Sequence, residues 1–273
     1  MSSWIQQPLT KGLPADSLYC STSTSGYGSN FFNFFMCYLY ARSQNKVLYL
    51  KDTKNNITDS FHLILDTFQE LPGINYTLKN GMTIQEIYPV ELKKFCVALD
   101  EEFLKTEAKR IFKLQPAIQK KIDVLKKGLT TFDLGIHIRR GDKITKKEMA
   151  NIPLDYYLKQ VSDFQVSSGK KKLSIYLMTD SAAVIASFKK KADPSWSIVS
   201  ILSPITNQDG HFQNQFNSYP IVMKMDAYIH FLTELQILQK CPTVFCTFSS
   251  NIGRYLYLTG GQDVRSLDTQ FEL

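Results

Sequence analysis

Two arginines stand side by side in Gly135-Ile-His-Ile-Arg-Arg-Gly-Asp-Lys143. The apolar alternation before them reads as a strand running directly into a cationic tip. An arginine offers a planar, permanently charged fork matched to phosphate oxygens, and a buried one is costly unless paired. Arg139 and Arg140 at a strand end therefore suit a diphosphate. An Arg–Asp ion pair closing the loop through Asp142 explains the same residues equally well. Arg140-Gly-Asp142 is also the tripeptide of integrin ligands, but so short a motif is common by chance.

Two further polar tips follow. In Val244-Phe-Cys-Thr-Phe-Ser-Ser-Asn-Ile-Gly-Arg254, Ser249, Ser250 and Asn251 follow a strand and open a helix. Hydroxyls there cap free backbone N–H groups, and the positive helix end attracts phosphate. Simple helix capping satisfies the same set. Thr179-Asp180-Ser181 closes the strand Leu173 to Met178 and can meet a ribose, an acceptor or one of the arginines, or form an ordinary turn.

The rest of the chemistry is thinner. The sequence has no Asp-x-Asp, a common magnesium-binding motif, and its five cysteines include no CxxC pair and no zinc-like histidine spacing. The cysteines read as reduced core thiols, and no metal is expected. His62, His211 and His230 are expected to be structural or solvent-facing. The run Phe31-Phe32, Phe34-Phe35 reads as helix core rather than a sugar platform.

The elements that must position these tips alternate. Ser17–Ser21 reads as a strand, 22–29 as a Gly/Ser-rich loop, Asn30–Ala41 as a helix and Lys46–Lys51 as a strand, the βαβ order of a Rossmann-like half. From Ile57 to about Lys113 the pattern looks helical, interrupted near Leu71–Met82 by Pro72, Gly73 and Gly81. Leu114-Gln-Pro116 reads as a hinge and Ala117–Leu129 as an amphipathic helix. The second half then predicts strands at Thr131–Arg139, Leu173–Met178, Trp196–Leu202 and Thr243–Phe248. Helices are predicted at Pro153–Phe164, Ala182–Lys191, Met223–Gln239 and Asn251–Leu258. This is a parallel α/β sheet covered on both faces, whose ligands bind outside the carboxyl ends of the strands.

With 273 residues and 44% hydrophobic content, the chain suits two domains. The expected division is 1–115 and 116–273. A net charge of +7 favours an anionic partner, yet the lysine pairs are dispersed and not interleaved with aromatic residues, so no nucleic-acid track is expected. No window approaches the ~20 apolar residues of a membrane span, and Met1–Pro14 carries no apolar signal region. A soluble protein is expected, cytoplasmic or virus-encoded and working in host cytosol.

Taken together, His137-Ile-Arg-Arg-Gly-Asp-Lys143, Tyr176-Leu-Met-Thr-Asp180 and Cys246-Thr-Phe-Ser-Ser250 resemble the ordered motifs of the α1,6-fucosyltransferases, bacterial nodulation and mammalian core enzymes alike, and more distantly of the protein O-fucosyltransferases. The likeness covers about Thr131 to Leu258. Small size and the lack of an anchor also resemble the virus-encoded xylosyltransferases of the chloroviruses. The resemblance implies an α/β, GT-B fold: two Rossmann-like domains facing across a cleft, the first on the acceptor side and the second binding a nucleotide-sugar.

Carried over by position, the resemblance implies Arg139 on the donor diphosphate, His137 against the base through its backbone, and Ser249 with Ser250 on the β-phosphate. Arg140, Thr179, Asp180 and Thr247 complete the nucleotide side. Glu234 stands where the family places an aspartate that reads guanine. Guanine offers a carboxylate two donors and uracil one, so GDP-fucose and a UDP-sugar such as UDP-xylose both remain open. Gly141 in place of a threonine and Ser181 in place of a second acid are further departures.

The activity implied is inverting, metal-independent transfer of one sugar to a glycan acceptor, with no cofactor besides the donor. Such transfer needs a base, a positive site for the leaving diphosphate and alignment of the reactants. Arg139, Lys143 and the helix start at Ser250 supply the positive site. The family's acid falls at Lys147, so Glu148 is the first candidate base, Asp142 the second, and Asp16 or Asp52 of the first domain the third. The loop Ser21–Asn30 with Tyr27 either shapes the acceptor site or touches no ligand. A catalytically silent nucleotide-sugar or glycan-binding module is the alternative of a different class.

Overall fold

The computed structural model describes residues 16–21, 27–44, 46, 48–51, 74–75, 83–86, 92, 94–95, 98–129, 131–260 and 263–272. The chain divides into two compact units, Met1–Pro116 and Ala117–Glu272.

In the first unit β1 (Asp16–Ser21), α1 (Tyr27–Ser43) and β2 (Leu48–Lys51) form the expected βαβ unit. The helix begins at Tyr27, earlier than the Gly/Ser content of the preceding loop indicates. With β3 (Ile74–Asn75) and β4 (Thr83–Glu86) the strands make a parallel sheet in the order β3-β2-β1-β4. The aromatic run is core, as expected: Phe31, Phe32, Phe34 and Phe35 are buried. Phe31 stacks on Phe112, which follows α2 (Glu101–Ile111).

The largely helical expectation for 57–113 is corrected here. Residues 52–73, 76–82 and 87–91 lie outside the described ones; the strand Ile74–Asn75 falls within the expected interruption, Thr83–Glu86 is a strand where helix was expected, and a described helix runs over Glu101–Ile111. The β-branched Thr83 and Ile84 pair with Asp16 and Ser17 of β1. That pairing is long-range and leaves no local periodicity. Where the helix does form its signals are local: the Asp100 carboxylate accepts the Phe103 amide at 3.0 Å, Glu101 and Glu102 occupy the first turn, and Lys109 and Arg110 the last.

The second unit begins with α3 (Pro116–Leu125) and then alternates: β5 (Leu134–Ile138), α4 (Asp142–Thr145), α5 (Leu154–Ser168), β6 (Leu173–Thr179), α6 (Ala182–Lys191), β7 (Trp196–Val199), α7 (Gln213–Asn217), α8 (Ile221–Leu238), β8 (Thr243–Cys246), α9 (Asn251–Thr259) and β9 (Asp263–Ser266). All five strands are parallel, in the order β7-β6-β5-β8-β9. The chain winds outward from β5 through β6 to β7, then crosses back to β8. The order therefore reverses between β5 and β8, where an open α/β sheet leaves a crevice at its carboxyl edge.

Packing explains the winding. Leu134, Ile136, Ile138, Leu173, Ile175, Leu177 and Phe245 form one buried layer with residues of α5 and α6. On the opposite face α8 lies so close that a Cβ on Gly135 would come within 2.6 Å of Leu238 Cδ2. Parallel strands covered on both faces read as continuous apolar runs, and LGIHI is buried at every position. Elements with weak patterns, α4, α7 and β9, are additions to the expected set. Cys37, Cys241 and Cys246 are buried, and among the described residues no helix is long and apolar enough to cross a membrane.

Candidate functional site

The tip of β5 carries the arginines, and here the ion-pair explanation holds. The Arg139 guanidinium gives Nη1 to Asp180 Oδ2 and Nη2 to Asp142 Oδ1, the second at 2.7 Å. Arg140 gives its backbone N–H to Asp180 Oδ1 at 2.8 Å, and its own side chain donates to the carbonyls of Arg139 and Ile152. Asp180 Oδ2 also accepts the His211 amide, and Asp142 Oδ2 the Gln213 amide. Arg139, Arg140, Asp142 and Asp180 are thus gathered into one corner in which the Arg139 guanidinium faces two carboxylates and the Arg140 guanidinium is held by backbone carbonyls. No hydrogen bond among the described residues engages Arg139 Nε.

Glycine makes the corner possible. Gly141 sits at φ +67°, and a Cβ there would overlap the His211 carbonyl; Gly210, at φ +110°, presses on the Gly141 amide. The loop through Asp209–His211 lies against the β5 tip by backbone hydrogen bonds of Gly141 and Asp142. Thr179 and Ser181 do turn work: Thr179 Oγ1 accepts the Ser181 amide, and Ser181 Oγ caps α6 by accepting the Val184 amide and donates to the Gln208 carbonyl.

The tip of β8 is the neighbouring one. Gly135 pairs with Val244 and Ile136 with Phe245. Ser250 is the N-cap of α9, its Oγ accepting the Ile252 amide at 3.3 Å. Ser249 is engaged elsewhere: its hydroxyl and amide both point to Asp268 Oδ2. Thr247 Oγ1 is buried with no hydrogen-bond partner. Gly253 lets the first turn of α9 settle onto the strand tip, since a Cβ there would overlap the Thr247 carbonyl.

Beneath these tips lie groups whose burial decides their charge. His137, 2% exposed, has its pKa lowered to about 4 by desolvation, which the Arg139 charge reinforces and Asp180 opposes. The ring is neutral near pH 7, and its Nδ1 has no partner. Glu234 is buried on α8 and accepts the Tyr176 hydroxyl at 3.3 Å. Desolvation pushes its carboxyl well above the usual carboxylate range, and the Asp180 charge adds to this. In its neutral form the acid offers one donor and one acceptor.

The candidate bases are placed differently. Asp142 is 6% exposed and both its oxygens are engaged by Arg139 and Gln213. Glu148 is half-exposed and ion-paired with Lys143. Lys147, where the family's acid falls, has a left-handed backbone at φ 57°. Asp16 is the first residue of β1 with only its backbone described, and Asp52 lies outside the described residues, as do 22–26 of the loop ending at Tyr27. Among the described residues no group of three or more His, Cys, Asp or Glu side chains could hold a metal ion.

Three contributors were absent from the sequence reading: the backbones of His211 and Gln213, which orient Asp180 and Asp142, and the carboxylate of Asp268. Gly210, in a stretch predicted as neither helix nor strand, signals a close backbone approach. Ser266-Leu-Asp268 signals only a polar turn after a strand.

Residues 103–260, more than half of the chain, match the family model described as alpha-(1,6)-fucosyltransferase N- and catalytic domains. Among solved structures the chain is similar to fucosyltransferase NodZ from Bradyrhizobium (14% identity, 88% of this chain and 91% of that one, TM-score 0.50). It is similar also to an Arabidopsis thaliana FUT1 mutant in complex with GDP (11%, 95% and 72%, TM-score 0.54) and to POFUT1 in its apo form (10%, 91% and 96%, TM-score 0.52). Other NodZ structures were co-crystallized with GDP or soaked with GDP-fucose. At such identities these likenesses are of fold: mixed α/β of the GT-B kind. The family match is the stronger finding, and by it this chain belongs to the α-(1,6)-fucosyltransferase N- and catalytic domain family.

Proposed function

We propose that the chain is an inverting glycosyltransferase that moves one sugar from a nucleoside-diphosphate donor onto a hydroxyl of a glycan acceptor, with side chains rather than a metal stabilising the leaving group. One observation carries this. The sheet order reverses between β5 and β8, and the tips of those two strands hold the Nε edge of Arg139 and the Ser250-capped start of α9. A guanidinium edge and a positive helix end on adjacent tips match a diphosphate and stabilise the charge that develops on it as the glycosidic bond breaks.

In this reading Arg139, supported by Arg140, and Ser250 bind the diphosphate, and Lys143 adds a mobile positive charge. His137, Thr179, Asp180, Thr247 and Glu234 line the nucleoside end. Residues 116–273 bind the donor and residues 1–115 present the acceptor. Glu148 is the base. It leaves its ion pair with Lys143 when the acceptor hydroxyl and the diphosphate draw the two charges apart; Asp142 instead holds Arg139.

GDP-fucose is the donor that family membership brings, and GDP and GDP-fucose accompany the relatives named above. A uracil donor is the second reading, favoured by Glu234. A carboxylate captures the N1–H and N2–H donors of guanine together, whereas a protonated acid beside Tyr176 offers one donor and one acceptor, as the N3–H and O4 of uracil require.

The test is sequential. GDP or UDP is expected to raise the melting temperature, since a ligand bound only by the folded state stabilises it. Donor hydrolysis or transfer is then expected to survive EDTA and to vanish in Arg139→Ala. Tight nucleotide binding with no turnover across an acceptor panel would mean a silent binding module instead.

A further inference from the structure

We propose that Asp268 acts as an internal anion: it fills the amide nest of the β8–α9 turn and thereby keeps a donor phosphate out of that nest and on Ser250 and the start of α9. This rests on the donor diphosphate binding at the β5–β8 crevice. Asp268 follows β9, which runs parallel to β8 and so ends at the same carboxyl edge. Its Oδ1 accepts the amides of Phe248 (2.8 Å) and Thr269 (2.7 Å) and the Ser266 hydroxyl (2.8 Å). Its Oδ2 accepts the hydroxyl of Ser249 and, at 3.4 Å, the Ser249 amide.

Successive amides turned toward one point form a concavity for any anion. In this chain the concavity is already filled. Burial acts to raise the Asp268 pKa, but the hydrogen bonds from Ser249, Ser266, Thr269 and Phe248 outweigh it and hold the acid below its usual range. Two consequences follow for the donor. The Ser249 hydroxyl gives its proton to Asp268, so toward a phosphate it presents only lone pairs. The nest, one residue short of the helix, is closed to phosphate, which leaves the Ser250 hydroxyl and the positive end of α9. Asp268 is thus a positioning residue: it fixes where along the turn the diphosphate stops, and hence the distance from the leaving group to Arg139.

Asp268→Ala empties the nest, and two measurements on the full chain read the result. Sodium formate is expected to raise the melting temperature of the variant and not of the wild type. Affinity for GDP and UDP by titration calorimetry is expected to hold or to tighten by up to about tenfold, because a neighbouring like charge is gone. Hydrolysis of the accepted donor is expected to fall by about 100-fold from the misplaced phosphate, and formate to restore part of it. Weaker nucleotide binding with no formate response, the signature of a merely structural residue, overturns the proposal.

A second comparison does not need the alanine variant to fold. Ser249→Ala is expected to change nucleotide affinity by less than about twofold, and Ser250→Ala to weaken it by about tenfold. Equal losses overturn the proposal. Wild-type protein that binds neither GDP nor UDP removes the donor site and this inference with it; wild-type binding with unresponsive Asp268 and Ser249 variants removes the inference alone.

Discussion

The two strand tips that flank the switch point use the same materials in opposite ways. At the β5 tip carboxylates are lodged on a side chain: Asp142 and Asp180 each take one arm of the Arg139 guanidinium, and the backbone of Arg140, His211 and Gln213 holds those carboxylates in turn. At the β8 tip a carboxylate is lodged on the backbone: Asp268 takes the amides of Phe248 and Ser249, and the start of α9 lies beyond it. The first arrangement surrounds one cation with two carboxylates and fixes its geometry, with Arg139 Nε outside those pairs. The second leaves the positive end of a helix exposed. A cation at a strand end therefore says little about free charge until its partners are counted, and the +7 net charge of the chain is not concentrated in this corner.

The sharpest way to break the comparison is to remove Arg139. Asp142 and Asp180, whose side chains are 9% and 16% exposed, would lose their shared partner. Breaking a buried pair from one side costs about 3–5 kcal/mol, so Arg139→Ala is expected to lower the denaturant midpoint strongly as well as to abolish nucleotide binding. Arg139→Ala with Asp180→Asn should recover part of the stability and none of the binding. Recovery of neither would mean that Asp180 does not carry the coupling.

His137 lies on β5 two residues before Arg139, and the charges of Arg139 and Asp180 act on it. Its folded pKa of about 4 lies below the ordinary 6.5, so its contribution to stability is present above pH 6.5 and is lost as pH falls through about 4. At about 1.4 kcal/mol per unit the loss approaches about 3 kcal/mol. Unfolding free energy followed from pH 7 to 4 should fall less steeply in His137→Gln by that amount. His211 and His230 are also lowered by burial and remain in the variant, so only the difference between the two profiles reports His137. Parallel profiles would show that the imidazole is not kept neutral by its burial.

The glycines of the two tips sharpen the contrast through opposite expectations. Gly141 has a left-handed backbone, and Gly141→Ala should cost about 1–3 kcal/mol from strain and from overlap with His211. Gly253 lies inside a helix, where alanine ordinarily gains about 1 kcal/mol. Here the sign should reverse, because the new methyl meets the Thr247 carbonyl. A stabilised Gly253→Ala, read by thermal melting, would show that α9 is free to lift off the strand tip.

Much of this was legible in the sequence, for identifiable reasons. The second sheet announces itself because its strands are covered on both faces and read as apolar runs ending in polar residues, and the start of α9 carries a local capping signal in Ser250. The residues of the corner were legible as types, with diphosphate ligand and ion pair left as equals; pairing across forty residues, Arg139 to Asp180, is invisible to local pattern. The strands Ile74–Asn75 and Thr83–Glu86 were lost for a related reason: each is short, and its pairing partner lies far away in sequence. Glu234 was read as a longer version of an acid that meets guanine, and only its burial against Tyr176 reveals that it is held toward the protonated state. Asp268 had no signal beyond a turn, because three of the donors that converge on it come from Phe248 and Ser249, about twenty residues earlier in the chain.

The smallest effect tests the comparison most cleanly. Ser181 and Ser250 are both N-caps, each accepting an amide of its own helix through Oγ at 3.3 Å. Replacing either by alanine should cost about 1 kcal/mol, a shift of a few degrees in melting temperature. By stability alone the two should be nearly indistinguishable. They differ in what their helices face: α6 opens beneath the loop that carries Gln208, whose carbonyl accepts the Ser181 hydroxyl, whereas α9 opens at the reversal between β5 and β8. Nucleotide titration should therefore separate them, with Ser250→Ala weakened and Ser181→Ala unchanged. Equal weakening would mean that binding follows general loosening of the unit, and that the start of α9 holds no special place for a phosphate.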